Sequence, residues 1–214
     1  MTTKSRPIIM SSDSVRAILE NRKSQTRRVM KPQPKHHTDH EGGFYCDTKG
    51  KCYLCGDENG NEYESPFGAP GDRLWVREAF WIDRRDKTLV VLEDGTIADK
   101  RGFVSTSLVD NDPRQAHGDK INNFDDLKRH KYWSRKSPLF LPRWASRLTL
   151  EITNVRCERV QEIYPAEADD EGYKTIMGFK DAWDKLNAKR GYGWDTNPWV
   201  WVIEFKKIEG GDNE

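Results

Sequence analysis

Pro198-Trp-Val-Trp-Val-Ile-Glu-Phe205 carries apolar side chains on both parities. In an extended chain Trp199, Trp201, Ile203 and Phe205 fall on one face, and Val200 and Val202 on the other. A strand tolerates that only when both of its sides are covered. The stretch therefore predicts a sheet interior, with Trp199 and Trp201 in the core. Ser146-Arg-Leu-Thr-Leu-Glu-Ile-Thr153 alternates instead, with Leu148, Leu150 and Ile152 on a single face. Between these strands, Phe179, Ala182, Trp183 and Leu186 mark an amphipathic helix that stops near Gly191. Pro165-Ala-Glu-Ala-Asp-Asp-Glu171 reads as a short helix with Pro in its first turn and Gly172 as terminator.

The N-terminal half follows the same logic. Arg6 to Met10 reads as a strand, and Ser11 to Ser14 offer an N-cap. Val15, Ile18 and Leu19 give a helix ending near Asn21-Arg22. Thr26-Arg27-Arg28-Val29 is extended, and Pro32 and Pro34 stop it. Pro70-Gly71-Asp72 is a turn launching a strand from Arg73 to Phe80. Asp94-Gly95 between apolar runs predicts a hairpin with a type I′ turn. Short strands without even βαβ spacing give the α+β class, a small mixed sheet or barrel with helices at its edges. The chain reads as one domain over residues 1–214, with polar insertions at about residues 32–66 and 84–137.

The 214 residues carry 36 Lys/Arg and 35 Asp/Glu, a net charge of +1. That balance hides segregation. Residues 4–35 hold nine Lys/Arg against two acids, residues 39–72 two Lys against eight acids, and residues 128–147 seven Lys/Arg and no acid. Basic segments of this kind suit nucleic acid if the fold gathers them. No run approaches the roughly 18 apolar residues of a membrane span. No apolar segment of an export signal follows Met1, so the expectation is a cytoplasmic protein without membrane partners.

Four cysteines are too few for a disulfide framework. Cys52-x-x-Cys55 is a zinc half-site, since one turn brings two thiolates to one ion. Cys46 supplies a third ligand and His40, His37 or His36 a fourth. A structural zinc would order a polar insertion that has little core of its own.

The stretches Asn21-Arg-Lys-Ser-Gln-Thr-Arg-Arg28, Gly71-Asp-Arg-Leu-Trp-Val-Arg-Glu78, Pro142-Arg-Trp-Ala-Ser-Arg147 and Gly191-Tyr-Gly-Trp-Asp-Thr-Asn-Pro-Trp-Val-Trp201 resemble the ASCH domain family, most closely its phage and prophage members. The likeness spans roughly residues 6–31, 66–82 and 138–206. Asn21 departs from the Gly that the family often has before the basic pair. The resemblance implies a PUA-like fold, a small mixed β-barrel with flanking helices, related to modules that bind RNA or read modified bases. It would place the protein in a host cytoplasm. Some small members are amidohydrolases that remove an acetyl group from the exocyclic amine of cytidine. Lys23, Thr26 and Glu171 match their catalytic set, with Asp170 a weaker match than Glu171.

The chemistry needs groups of these types. A Thr hydroxyl is inert at neutral pH without a base, and a Lys serves as one only when burial or neighbouring cations lower its pKa. Arg22, Arg27 and Arg28 supply such cations. Glu171 would hold the base's exocyclic nitrogen or pass a proton to the leaving amine. Arg27 and Arg28 alternate sides of their strand, so one of them faces a site. Arg77, Arg143 and Arg147 are candidates for phosphate contact. Trp75, Trp144 and Trp194 are candidates for stacking on a base, Trp144 foremost. The leading expectation is a protein that recognises a modified base in RNA or single-stranded DNA, or a nucleoside, in a basic aromatic-lined cleft. The alternatives are an amidohydrolase on acylated cytidine, a nuclease, and a protein-binding anti-defence module that makes contact through its insertions.

Overall fold

A computed structural model describes residues 3–34, 44–46, 51–54, 62–85, 87–100, 104–105 and 131–208. Along the chain the elements are β1 (Ser5–Ile9), α1 (Ser12–Leu19), β2 (Gln25–Val29), β3 (Phe44–Cys46), β4 (Lys51–Leu54), β5 (Glu62–Glu64), β6 (Arg73–Arg77) and β7 (Phe80–Asp83). They continue with β8 (Leu89–Leu92), β9 (Ile97–Asp99), β10 (Val104–Ser105), β11 (Trp133–Lys136), β12 (Thr149–Arg159), α2 (Pro165–Asp170), α3 (Ile176–Asn187) and β13 (Trp199–Ile208). The protein is α+β. Three sheets run in the orders β1-β6-β12-β13-β2, β10-β9-β8-β7-β11 and β3-β4-β5. The first is open among the described residues, with β1 and β2 at its edges rather than closing on each other. No described helix is long and apolar enough to cross a membrane.

The chain divides into two compact units: Met1–Arg6, Arg16–Leu74 and Thr149–Glu214 form one, and Pro7–Val15 with Trp75–Leu148 the other. In the first unit β13 lies between β12 and β2, antiparallel to both, with Trp201 opposite Arg28, Val202 opposite Arg27 and Ile203 opposite Thr26. Trp199 to Ile203 are all buried, as two-sided patterning requires. Val200 and Val202 pack with Val160, Ile163, Ala168, Phe179 and Trp183, so α2 and α3 cover that face. A bulge between Ile152 and Asn154 re-aims the second half of β12.

In the second unit the sheet is covered on both sides. Trp81, Leu89, Val91, Ile97 and Trp133 form one cluster, and Phe80, Val90, Leu92, Ala98, Leu141 and Ala145 the other. Residues 84–137, read as an insertion, thus supply four strands of a sheet with its own core. The Asp94-Gly95 hairpin forms, but not on the expected type I′ turn. Gly95 alone has positive φ, at 91°. Its N–H donates to Leu92 O, and Leu92 N–H to Thr96 O. That is a three-residue loop ending in a glycine bulge. Asp94 stays out of the left-handed region because its carboxylate accepts from Thr96 N at 2.9 Å, which fixes the local turn.

Candidate functional site

Two helix ends build the centre of the first unit. At the end of α1, Arg22 N–H donates to Ala17 O and Asn21 N–H to Ile18 O, with Asn21 at φ 56°. This is a Schellman motif, with Asn doing the work usual for Gly. At the end of α2, Tyr173 N–H donates to Ala168 O and Gly172 N–H to Asp169 O, with Gly172 at φ 87°. The same motif therefore closes both helices. A Cβ on Gly172 would stand 3.2 Å from Ala17 Cβ and 3.5 Å from Lys23 Cβ, so Gly lets the two ends approach. Lys23 and Glu171 form a β-bridge there, and Ser24 N–H donates to Asp170 O at 2.9 Å. Asp170 spends its carboxylate on the Ser24 hydroxyl, leaving the inner position to Glu171.

Lys23 Nζ donates to Glu171 Oε2 at 2.7 Å and to Glu171 O at 2.8 Å. The two side chains are 3% and 4% exposed. Burial lowers the Lys23 pKa; Glu171 opposes the shift, and the charges of Arg28 and Arg27 reinforce it. An ammonium has three donors, and these contacts use two. The other Glu171 oxygen, Oε1, receives Arg27 Nη1 at a long 3.5 Å. The pair is thus enclosed and incompletely hydrogen-bonded.

Arg27 anchors a second layer. Its side chain is 0% exposed and donates to Glu167 Oε2 at 2.8 Å and Glu158 Oε2 at 3.0 Å, with Cζ 5.9 Å from the Phe179 ring centroid. Arg156 pairs with Glu158, Glu167 and Glu204, and its Nη2 donates to Gln25 Oε1. Glu167 also accepts from Tyr164 N, tying this network to the start of α2. None of Arg156, Glu158, Glu167 or Gln25 was among the candidates. The usable signal is Arg156-x-Glu158, charges at period two beside the buried Val155 and Cys157 of the same strand.

The structure places the remaining candidates as follows. Thr26 is 5% exposed and shares a face of β2 with Arg28, opposite Ile203 and Trp201. Among the described residues its hydroxyl has no hydrogen bond to Lys23. Arg28 is half-buried, and burial lowers its pKa, with Glu171 opposing. Trp194 is half-buried and packs edge-on against Phe179, with centroids 6.2 Å apart.

No family model, curated protein or solved structure matches the chain.

In the second unit Trp75 is buried, and the Arg77 guanidinium lies 4.4 Å over its ring and covers one of its faces. Trp144 is half-buried against the Phe80 and Leu92 cluster, so the foremost stacking candidate is partly core. Arg143 is exposed. Arg147 is engaged: it donates to both Glu78 oxygens at 2.9 Å, to Thr96 Oγ1 at 3.0 Å, and to Asp94. That geometry explains a half-buried structural guanidinium and leaves little of it for phosphate. Of the zinc candidates, His40 and Cys55 lie outside the described residues. Cys46 and Cys52 are direct partners across β3 and β4.

Proposed function

We propose that the chain is an ASCH-type protein of PUA-like architecture that recognises a nucleobase, as a nucleoside or within modified or single-stranded nucleic acid. Lys23 and Glu171 form the polar centre of its site. One observation carries the reading: an ammonium and a carboxylate 2.7 Å apart, both enclosed, each with hydrogen-bonding capacity left over. Burying such a pair rarely adds stability, because desolvation of both charges offsets their attraction. A buried pair that also perturbs a lysine pKa is a candidate for function. The remaining Glu171 lone pairs suit the exocyclic amine of a base. The third Lys23 N–H suits a ring nitrogen or carbonyl oxygen, and Arg28 adds positive charge on that side.

The lowered Lys23 pKa favours a second reading, an amidohydrolase on acylated cytidine. In it Thr26 Oγ bonds to the acyl carbon and its proton passes to the Lys23 amine. That proton then goes to the departing exocyclic nitrogen, and water releases the acyl group from Thr26. Binding stands first because Thr26 and Lys23 are not hydrogen-bonded to each other. Catalytic contacts often tighten only with substrate, which keeps the second reading testable. A structural zinc held by Cys46, Cys52, Cys55 and His40 belongs to the same proposal, supported by the Cys46–Cys52 register.

The test is a panel of plain, methylated and acetylated nucleosides, scored for both retention and turnover. At least one amino-bearing base binds the native protein, and Glu171→Gln weakens it about tenfold or more, as expected for a lost charged hydrogen bond. Deacetylation that Thr26→Ala abolishes would establish the enzyme. No binding and no turnover across the panel would refute both readings.

A further inference from the structure

A surface in the second unit takes no part in the site described above. Ser137-Pro-Leu-Phe-Leu-Pro142 forms a single 3-10 turn over Pro138–Phe140. Phe140 N–H donates to Ser137 O at 3.0 Å and Leu141 N–H to Pro138 O at 3.1 Å. Ser137 Oγ accepts from Leu139 N. Pro138 and Pro142 restrict the backbone at both ends. Leu141, 1% exposed, is locked into the core with Phe80 and Leu92. Fixing Leu141 inward fixes its neighbours outward: Leu139 is 59% and Phe140 70% exposed. These are two adjacent large apolar side chains on a rigid platform, an expensive arrangement to leave in water.

The charge near them in sequence is of one sign. Residues 131–147 contain five Lys/Arg and no Asp or Glu. Arg135 and Arg147 are matched by Glu93, Glu78 and Asp94. Lys136 and Arg143, both exposed, bracket the turn in sequence; Arg143 also has an interaction within the protein, and the five N–H donors of a guanidinium exceed what one contact uses. A fixed aromatic ring flanked in sequence by exposed cations fits a strand whose bases are unpaired, since only such bases offer a free π-face to stack.

We propose that the Leu139–Phe140 turn, with Lys136 and Arg143, is a docking surface for single-stranded nucleic acid, Phe140 stacking on a base and the two cations meeting phosphates. Only its ligand class rests on the function proposed above; the surface stands on its own geometry.

The full chain is titrated with fluorescein-labelled oligothymidylate and oligouridylate of about 15 nucleotides, a length that spans one stacking groove. Phe140→Ala weakens binding about tenfold with the melting temperature unchanged, and Phe140→Trp retains it. Lys136→Ala with Arg143→Ala flattens the slope of log affinity against log salt by about 1.4, the value for two lost contacts to a single strand. Native affinity in Phe140→Ala overturns the proposal, and so does a native protein that binds neither oligomer. Phe140-dependent binding to anionic vesicles, or Phe140-dependent self-association, without oligomer binding would also overturn it by assigning the patch to lipid or to a second copy. Nucleoside binding in the same preparations reads the Lys23 site separately: its survival when oligomer binding fails sinks this surface alone.

Discussion

Each unit contains an acid–base pair with a buried carboxylate, and the two are built differently. Glu78 and Arg147 meet as carboxylate and fork through two 2.9 Å bonds, and Arg147 spends its remaining reach on Thr96 and Asp94. Lys23 meets Glu171 through one side-chain bond, takes a backbone carbonyl as its second partner, and keeps a donor. A guanidinium matches a carboxylate in shape; an ammonium is a point charge with no preferred plane. The first pair is complete within the protein. The second retains capacity for something outside it. A buried carboxylate, common to both, does not separate structural from functional charge; what is left unbonded does.

The comparison can be broken by deletion. The largest effect is expected at Glu78: Glu78→Ala removes both bonds of the Arg147 fork, leaves the guanidinium only Thr96 and Asp94, and costs about 3 kcal/mol in chemical denaturation, the low end of the range for a broken buried pair. A loss under about 1 kcal/mol, the range of exposed pairs, would show the pair to be solvated and ornamental. Next comes the double replacement Lys23→Met with Glu171→Leu. Apolar side chains of similar volume relieve two desolvation penalties, so stability is unchanged or rises by about 1–4 kcal/mol while nucleoside binding disappears. A large loss of stability would make Lys23–Glu171 a structural pair like its counterpart.

The smallest effect is in pH, where the two pairs carry opposite signs. Burial lowers the Lys23 pKa below the ordinary value near 10.5. Between its folded value and 10.5 the unfolded chain holds a proton that the folded one has released, so this group's contribution to stability rises with pH across that window. Burial raises the Glu78 pKa, and Arg147 offsets the shift only in part. There the folded chain holds the extra proton. Its contribution is present below the unfolded value of 4.5 and lost as pH rises through the folded one. Urea midpoints across pH, native against Lys23→Met/Glu171→Leu, isolate the first trend. A flat difference between pH 7 and pH 10 would contradict it.

The same contrast sets what the sequence could reveal. β13, α3, Gly172 as a terminator and the Asp94-Gly95 hairpin were all readable, because periodicity and turn chemistry act over a few residues. The hairpin's turn type was not, since Asp94 used its carboxylate on Thr96 N instead of adopting positive φ. Lys23 and Glu171 are 148 positions apart, and no periodic signal links them; only the family resemblance paired them. Arg27 is a binding candidate by sequence, yet Glu158 of β12, Glu167 of α2 and Glu171 just beyond α2 enclose it. Long-range charge pairing of that kind leaves no local mark. Phe140 was passed over because its exposure follows from Leu141 being locked inward, which only the packed turn discloses.

The most direct test sets the two pairs side by side. Calorimetric titration of one nucleoside found to bind the native protein is repeated with Glu171→Gln and with Glu78→Gln, each confirmed to be folded. Binding lost in Glu171→Gln and retained in Glu78→Gln is the predicted result. Equal affinity in Glu171→Gln and native protein would remove Lys23–Glu171 from recognition and leave it, like Glu78–Arg147, a part of the scaffold.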